Sequence, residues 1–220
     1  MAYGVTLKVW GDYACFTRPE MKVERVSYDV MTPSAARGVL EAVYWKPAIR
    51  WVVESITVLR PIRFENVRRN ELGHKLPLTN VTKAMKDGRS PVETFIEDDR
   101  QQRAAMVLRQ VAYLIQARFE PTAKWNAAQE SEGKHLDIFN RRLERGACFP
   151  RPYLGCREFA ADFGPDDGER PDEALIEKLP GELGWMLHDL DYAQGMQARF
   201  FKAQLKNGVM TIPPFEEARA

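Results

Sequence analysis

Three side chains in this sequence have types suited to moving protons beside a phosphate group. Lys134 and His135 are adjacent at the start of a predicted helix, and Tyr44 lies near the end of an earlier one. A histidine with an ordinary pKa near 6.5 exchanges protons at neutral pH, whereas a tyrosine hydroxyl, with a pKa of about 10, normally donates or orients a hydrogen bond. A lysine adds a fixed positive charge for phosphate oxygens. From the residues alone, His135 is the one of the three that could both contact phosphate and exchange protons near neutral pH.

The helix that carries Lys134 and His135 is expected to run from about Gly133 to Arg145. Projection at about 100° per residue gives one apolar face, made of Leu136, Phe139 and Leu143. The cationic residues fall on the opposite side, namely Lys134, Arg141 and Arg145, with Arg142 nearby. His135 is predicted at the border, where it could contact phosphate while nearby cations lower its pKa. A half-buried histidine that bonds only to backbone is the alternative.

Other interpretations stay open from the residues alone. Tyr44 could simply complete the packing face of the first helix, which its position favours. His74 is expected in solvent on a basic loop, and His188 is expected to be structural. Three acids in a Gly/Pro loop are a weak Mg²⁺ signal and are better explained as a solvated turn: Asp166, Asp167 and Glu169. No metal site and no cofactor is therefore predicted.

Charge is distributed unevenly although the 32 basic and 31 acidic residues nearly cancel to a net charge of +1. The stretch from Arg60 to Lys75 is basic, and the stretch from Gly164 to Gly181 is acidic. Segregation of this kind lets one face attract polyanions while the total charge stays small. Two solvated loops are the alternative. An aromatic and basic run near the first strand is suited to base stacking: Trp10, Tyr13, Phe16, Arg18, Lys22 and Arg25.

The predicted elements follow the order β-α-β-β-α-β. A first strand is expected to run to about Phe16, and Thr32 followed by Pro33 predicts the start of a helix from Ser34 to Lys46. A second strand is predicted from the apolar positions Ile56, Val58, Ile62 and Phe64. A third is predicted from Val107, Val111, Tyr113, Ile115 and Phe119. A last strand around Tyr153 to Phe163 would complete an α+β, ferredoxin-like (RNA-recognition-type) domain.

Two segments lie outside that order. Residues 66–103 are polar and rich in turn residues, so they are predicted to form a basic, functional or partly mobile insertion. Near the C-terminus, Asn207 and Gly208 predict a hairpin whose second strand is Val209 to Ile212. The chain is accordingly divided into a ferredoxin-like domain, residues 1–163, and an appended small antiparallel β-sheet, residues 164–220.

A cytoplasmic location is expected. The opening residues alternate like a strand and lack the apolar centre of a secretory signal, and no stretch approaches about eighteen apolar residues. The three cysteines form no CxxC pair, so reduced packing residues are expected at Cys15, Cys148 and Cys156.

Four short segments stand out in order along the chain: Gly11 to Ala14 (GDYA), Tyr44 to Pro47 (YWKP), Glu132 to His135 (EGKH) and Leu154 to Glu158 (LGCRE). Together they resemble the Cas-five proteins of type I-C (Dvulg) CRISPR systems, which belong to the RAMP superfamily. The resemblance runs from the first strand to about Phe163 and is weaker beyond it. Several matches in order are far more specific than any one of them.

The resemblance implies an endoribonuclease that cleaves precursor CRISPR RNA within the repeat. Cleavage by 2′-hydroxyl attack needs no metal and leaves a 2′,3′-cyclic phosphate and a 5′-hydroxyl. The resemblance assigns catalysis to Tyr44, Lys134 and His135. Its implied partners are the repeat hairpin, the 5′ handle of the mature guide RNA, and the backbone and large subunits of the type I-C interference complex, with no membrane.

RNA contacts are expected from aromatic and cationic residues near the first strand, at the end of the first helix, in the basic stretch and on the second helix: Tyr13, Arg18, Lys22, Arg25, Lys46, Arg63, Arg68, Arg69, Arg141, Arg142 and Arg145. Two alternatives remain open. One is a noncatalytic subunit that only binds the guide handle, and the other, with less support, is a metal-dependent DNA nuclease. The presence of all three catalytic residue types favours the endoribonuclease.

Overall fold

The computed structural model describes residues 4–219 and contains eight β-strands and four α-helices within them. The strands are β1 (Gly4–Ala14), β2 (Ile49–Val58), β3 (Phe64–Leu72), β4 (Arg100–Pro121), β5 (Asp162–Pro165), β6 (Glu182–Asp191), β7 (Gln197–Gln204) and β8 (Val209–Thr211). The helices are α1 (Pro33–Val43), α2 (Leu78–Asp87), α3 (Glu132–Glu144) and α4 (Glu173–Ile176).

The main sheet is antiparallel and has the strand order β5-β1-β4-β2-β8. The long strand β4 pairs along its C-terminal half with β1 on one side and β2 on the other, so that Ile115 lies opposite both Leu7 and Ile56. Its N-terminal end pairs with β3, from Phe64↔Leu108 to Leu72↔Arg100. The strand β4 therefore joins the central sheet to a two-stranded arm.

The two longer helices that border the core begin at side-chain caps, of which the sequence analysis predicted the first, at Thr32. The Thr32 hydroxyl accepts a hydrogen bond from the Ala35 N–H, and the Ser131 hydroxyl accepts one from the Lys134 N–H. Each cap satisfies one backbone donor that the first helical turn leaves unpaired. Leu40 of α1 and Phe139 of α3 are fully buried against the sheet. No helix within residues 4–219 has the length and apolar character needed to cross a membrane.

The smaller sheet consists of β6 paired with β7. The predicted hairpin turn is present, because Asn207 and Gly208 both have positive φ angles, of 52° and 77°. Its return strand β8 pairs with β2, so the hairpin connects the two sheets. The predicted boundary at residue 163/164 lies inside β5, and the buried core runs through both sheets. The division of the chain into two units stays a prediction.

The single predicted strand through Ile56, Val58, Ile62 and Phe64 is wrong, because the chain leaves the sheet after Val58 and starts β3 at Phe64. Pro61 lies in the break and cannot donate a ladder hydrogen bond. The predicted strand from Tyr153 to Phe163 is also mostly wrong. It is a loop with one isolated bridge, Tyr153↔Ala160, before the short strand β5.

Residues 66–103 are more regular than their composition indicated. They contain most of β3, the helix α2 and the start of β4. Polar residues lie on both faces of β3, so the period-two apolar signal of a half-buried strand is missing. The segment is a two-stranded arm with a helix at its end. The helix α1 also ends earlier than predicted, at Val43 instead of Lys46.

Candidate active site

The end of α1 fixes the position of Tyr44. Tyr44 caps the helix in an extended conformation, and its N–H donates to the carbonyl of Leu40 at 2.9 Å. Its own carbonyl accepts a hydrogen bond of 2.8 Å from the indole Nε1 of Trp51 on β2. Two hydrogen bonds to its backbone therefore hold Tyr44 in position, and its side chain extends toward α3.

His135 meets Tyr44 from the first turn of α3. Its Nδ1 lies 2.8 Å from the Tyr44 hydroxyl oxygen, within hydrogen-bond distance. His135 is 1% exposed and Tyr44 is 2% exposed. The predicted border position of His135 is therefore wrong, since it is buried on the same face as Phe139 and Leu143. The helical projection did not count histidine as part of the apolar face.

The carboxylate of Glu130 contacts both Lys134 and His135. One carboxylate oxygen, Oε2, lies 3.0 Å from Lys134 Nζ and 3.1 Å from His135 Nε2. Lys134 donates a hydrogen bond to this oxygen. Nε2 of His135 is close enough for an ion pair, but its geometry is not that of a hydrogen bond. Sequence reasoning missed Glu130 because it lies in the loop before α3. Its position four residues before Lys134, the spacing of an i,i+4 ion pair, was the signal that could have identified it.

Burial and charge set the protonation states of the pair. Burial is the largest cause of a lowered pKa for His135, with smaller contributions from the ammonium groups of Lys134 and Lys46, while Glu130 acts in the opposite direction. The pKa of Tyr44 is raised, first by burial and then by the Glu130 carboxylate. At neutral pH the site therefore holds a neutral imidazole and a protonated phenol. The predicted lowering of the His135 pKa by cations has the right direction, but burial is its main cause.

Aromatic rings surround His135. Its ring centroid lies 5.2 Å from that of Trp125 and 5.8 Å from that of Phe119. Trp125 belongs to residues 122–131, the connection between β4 and α3 that also supplies Glu130. This connection thus contacts the imidazole with both an apolar ring and a carboxylate.

Exposed aromatic and cationic groups flank the buried pair. Trp45 is 55% exposed, and Phe149, whose N–H donates to the carbonyl of Ala42, is 85% exposed. Arg142 donates to the carbonyl of Val43 at 2.9 Å, and its guanidinium lies 5.6 Å from the Tyr44 ring centroid. Sequence reasoning did not include Trp45 or Phe149 among the nucleic-acid contacts, although two exposed rings beside cations are typical of base-stacking surfaces.

The predicted RNA-binding residues divide between two places. Lys46 and Arg142 lie by the pair, and Arg141 and Arg145 are exposed on α3. A second group surrounds Phe159. The ring of Tyr13 lies 6.0 Å from the Phe159 ring, and the guanidinium of Arg69 lies 5.2 Å from it.

Arg25 and Arg69 of this second group both pair with Glu158. Tyr13 pairs with Arg109 of β4, whereas Phe119, which contacts His135, lies ten residues further along that strand. At about 3.3 Å per residue, the two groups are about 33 Å apart along β4. The structure does not bring the predicted RNA contacts together at one point.

The remaining predicted contacts differ in how far they are already paired. Arg18 pairs with Asp29 at 3.3 Å, and Arg63 donates to the side-chain oxygen of Gln110. Lys22 and Arg68 are exposed and form no side-chain hydrogen bond or ion pair within residues 4–219.

The basic and acidic segments neutralise each other in part. Glu169 pairs with both Arg60 and Lys8, and Asp167 pairs with Lys8 as well. Asp166 is bonded to Arg170, which holds the pKa of that carboxyl down at about 2. The expected charge-segregated face is therefore smaller than the sequence indicated. Within the described residues, no three His, Cys, Asp or Glu side chains are arranged to hold a metal ion.

The sequence is similar to two curated proteins over nearly its whole length. One, from Mannheimia succiniciproducens, is named CRISPR pre-crRNA endoribonuclease Cas5d and is 55% identical over 98% of this chain and 97% of its own length. The other, from Thermus thermophilus, has the same name and is 47% identical over 97% of this chain and 86% of its own length.

Solved structures share the fold over the full chain. A structure described as a CRISPR-associated protein superposes with a TM-score of 0.69 at 24% identity, covering 100% of this chain and 98% of that one. The protein SMU1763c from Streptococcus mutans, described as functionally uncharacterized, gives a TM-score of 0.63 at 22% identity, covering 100% and 96%. Residues 4–213 also match the profile of the Cas_Cas5d family. This chain therefore belongs to the Cas_Cas5d family, described as CRISPR-associated protein (Cas_Cas5).

Proposed function

We propose that this protein is a metal-independent endoribonuclease that cleaves precursor CRISPR RNA within the repeat. The observation that carries this proposal is the 2.8 Å contact between the Tyr44 hydroxyl and Nδ1 of His135, with Lys134 next to it on α3. The similarity to two proteins named pre-crRNA endoribonucleases supplies the substrate class. Tyr44, Lys134 and His135 are proposed as the catalytic residues.

The reaction requires few groups, because RNA carries its own nucleophile. The 2′-hydroxyl attacks the adjacent phosphorus, and the bond from phosphorus to the 5′ oxygen breaks. The products are a 2′,3′-cyclic phosphate and a 5′-hydroxyl. The protein needs to align these atoms, remove one proton, supply another and stabilise the charge that builds up on the phosphorane.

Tyr44 and His135 can remove the proton as a relay. The Tyr44 oxygen accepts the proton of the 2′-hydroxyl while its own proton passes to Nδ1 of His135, which the lowered pKa keeps neutral and ready to accept. The resulting imidazolium lies 3.1 Å from the Glu130 carboxylate, which stabilises it. Glu130 is thus a positioning residue that acts through His135.

Lys134 completes the set at the surface. Its side chain is 49% exposed, which lets the ammonium group reach the nonbridging oxygens of a bound phosphate. The ammonium stabilises the phosphorane and can give a proton to the departing 5′ oxygen. The exposed rings of Trp45 and Phe149 can stack on nucleotides beside the cut, and Lys46 and Arg142 would add positive charge there.

The product stays bound in the proposed function. We infer that the protein holds the 5′ handle of the guide RNA and assembles with the backbone and large subunits of a type I-C interference complex. The exposed cations Lys22 and Arg68, together with the group around Phe159, offer contacts for RNA away from the cut. This use of two distant surfaces suits a structured RNA that extends beyond the scissile bond.

The core architecture is proposed to be ferredoxin-like. Five elements of the chain follow β1-α1-β2 and then β4-α3, and β5 completes the repeat when β3 and α2 are counted as an insertion. The sheet order β5-β1-β4-β2 places the first and third strands of that repeat at the centre, which supports the assignment.

One observation favours a second candidate, a noncatalytic subunit that binds the guide handle. Both Tyr44 and His135 are almost fully buried, so substrate can reach the Tyr44 oxygen only when the groups that cover it move. The connection 122–131, which contacts His135 through Trp125 and Glu130, would have to shift on RNA binding. A structural role for the pair would need no such movement.

Cleavage in excess EDTA separates these candidates. Purified protein is incubated with its cognate repeat RNA and with the same RNA carrying one 2′-deoxy nucleotide at the cut site. We expect cleavage of the first RNA only, and no cleavage of either by His135→Ala at unchanged affinity. Binding without cleavage would establish the noncatalytic candidate, and cleavage only after Mg²⁺ is restored would contradict the metal-independent mechanism.

A further inference from the structure

The strand β2 has an edge that is only partly paired. On one side it pairs with β4 from Ile49 to Val58, but on the other side β8 covers only Ser55–Thr57. The segment Ile49–Val53 therefore has no neighbouring strand on that side within residues 4–219. At about 3.3 Å per residue, this open edge is about 17 Å long.

The hydrogen-bond register shows which backbone groups the open edge presents. Thr122 N–H donates to the carbonyl of Ala48, so the alternate residues Arg50 and Val52 direct their backbone groups toward β4. The N–H groups of Trp51 and Val53 consequently point away from β4. They have no hydrogen-bond partner within residues 4–219. An unpaired strand edge of this kind is a template for another strand.

Two prolines explain why β8 stops short. The N–H of Ile212 still donates to the carbonyl of Glu54, at 2.9 Å. The next residues, Pro213 and Pro214, have no N–H to continue the ladder. The carbonyl of Pro213 lies 2.9 Å from Nε2 of His188. The chain is thus turned away from the edge and leaves it open.

A groove of about 650 Å³ follows this open edge and is called the β2-edge groove below. Its lining residues come from the edge itself, the start of α1, the end of β6 and the segment after β8. They include three guanidinium groups and five carboxylates, and four of these carboxylates already pair with arginines: Glu54, Glu120, Asp189 and Asp191. Carboxylates outnumber guanidinium groups, and one carboxylate is unpaired within residues 4–219, so the lining has a small net negative charge that disfavours RNA phosphates and favours a cationic occupant.

We propose that the β2-edge groove binds an extended, positively charged peptide segment of another protein subunit, which adds as a strand beside Trp51 and Val53. The outward backbone groups provide main-chain hydrogen bonds, and the acidic lining selects basic side chains. Glu216 is exposed and has no ion-pair partner within residues 4–219, so it is available to a lysine or arginine. Tyr192, 65% exposed, offers a ring at the side of the groove.

This mode of docking rests on the proposed assembly with other subunits, but not on the proposed cleavage. The catalytic pair faces α3, whereas the groove opens on the far edge of β2. RNA cleavage by the isolated chain can therefore be measured separately from subunit docking. If RNA cleavage is absent, subunit docking can still be tested, and the reverse also holds.

Residue-resolved amide hydrogen exchange tests the proposal. Three samples are compared: the free chain, the chain with repeat RNA, and the complex of the chain with RNA and the other protein subunits. We expect exchange at Trp51 and Val53 to slow at least about tenfold only in the full complex. Arg50 and Val52, whose N–H groups already face β4, serve as internal controls and should change much less.

Each other outcome overturns the proposal. Protection by RNA alone would make the groove a nucleic-acid site, and protection that grows with the concentration of the free chain would indicate a second copy. An intact complex in which both amides exchange as in the free chain would exclude strand addition. Subunits that fail to associate at all would also contradict it, while cleavage by the free chain would then still stand.

A charge-reversal pair provides a second readout. Glu216→Lys places a cation in the groove and should weaken retention of the other subunits at least about tenfold. Glu217→Lys is the matched control, because this exposed neighbour does not line the groove. Equal retention by both variants would show that the acidic lining does not select the partner.

Discussion

At the scale of single residues, the hydroxyl of Tyr44 has a role that can be separated from its ring. The ring packs in the core, and only the oxygen contacts Nδ1 of His135. We expect Tyr44→Phe to lower the single-turnover cleavage rate by about 10²–10⁴-fold, the usual contribution of a positioned acid or base. RNA affinity, measured by filter binding, should stay within about twofold.

The same substitution has a cost in stability that must be measured beside the rate. Removing the hydroxyl leaves the buried Nδ1 of His135 without its partner, which costs about 1–3 kcal/mol. Thermal unfolding will show whether the variant remains folded at the assay temperature. Tyr153→Phe, at a half-exposed tyrosine away from the pair, is the control and should cleave at the wild-type rate. A folded Tyr44→Phe that also cleaves normally would remove the hydroxyl from the mechanism.

Glu130 gives a prediction about pH. Its carboxylate raises the pKa of His135 against the dominant lowering by burial. Glu130→Gln keeps the size of the side chain but removes the charge, so the pKa of His135 should fall further. Because the neutral imidazole is the reactive form, the acid limb of the pH profile of the single-turnover rate should move to lower pH, while the plateau rate decreases as the imidazolium loses its stabilising partner.

A purely structural Glu130 predicts a different result. It would lower the amount of folded protein or weaken RNA binding, but it would leave the position of the acid limb unchanged. The profile is measured by single-turnover cleavage between about pH 4.5 and 8. An acid limb that moves to higher pH would contradict the assigned sign of the interaction.

The sequence could identify some of these residues and not others. Tyr44, Lys134 and His135 lie in short segments that resemble a family, so their types and positions were available without a structure. Trp125 and Glu130 lie in a connection with no periodic pattern, and their contacts with His135 depend on how that connection folds back. Tertiary contacts of this kind carry no local signal.

At the scale of elements, the arm made by β3 and the start of β4 presents two adjacent arginines in different states. Arg68 is exposed without a side-chain partner within residues 4–219, whereas Arg69 is paired with Glu158. We expect Arg68→Ala to reduce the salt slope of RNA binding by about 0.7–0.9, the change for one lost phosphate contact. Arg69→Ala should change the slope less, because its charge is already neutralised.

Binding titrations at several salt concentrations distinguish the two variants. If Arg68→Ala leaves the slope unchanged, the arm faces away from RNA. An equal reduction of the salt slope in both variants would mean that RNA displaces Glu158 from Arg69. Arg89→Ala, at an exposed arginine after α2, controls for a general loss of positive charge.

Helix starts were easier to predict than strand ends. The helix α1 begins where Thr32 was predicted to cap it, and a cap is a local feature of the sequence. The cap of α3 at Ser131 was not predicted, and its helix was expected from about Gly133. The break before β3 was missed because apolar residues keep the same alternation on both sides of it, at Val58 and Ile62. Pro61 was the signal that should have ended the second strand.

At the scale of the whole molecule, sequence patterns did not show how the two sheets are joined. Asn207 and Gly208 correctly predicted a hairpin turn, but a turn specifies only its own two strands. The pairing of β8 with β2 joins residues about 150 positions apart. The local periodicity of a strand does not indicate which distant strand it pairs with. The consequence is one continuous buried core that includes Leu7, Ile56 and Phe201.

This continuity predicts that the molecule unfolds as one cooperative unit. Met210 on β8 is fully buried and lies opposite Ile56, so Met210→Ala should cost about 2–5 kcal/mol. Native-state hydrogen exchange should show the same loss of protection in β4 as in β7, because both depend on the shared core. Met85→Ala, at a methionine that is 82% exposed, is the control and should change neither strand. Loss confined to β6 and β7 would instead establish residues 164–220 as a unit that unfolds by itself.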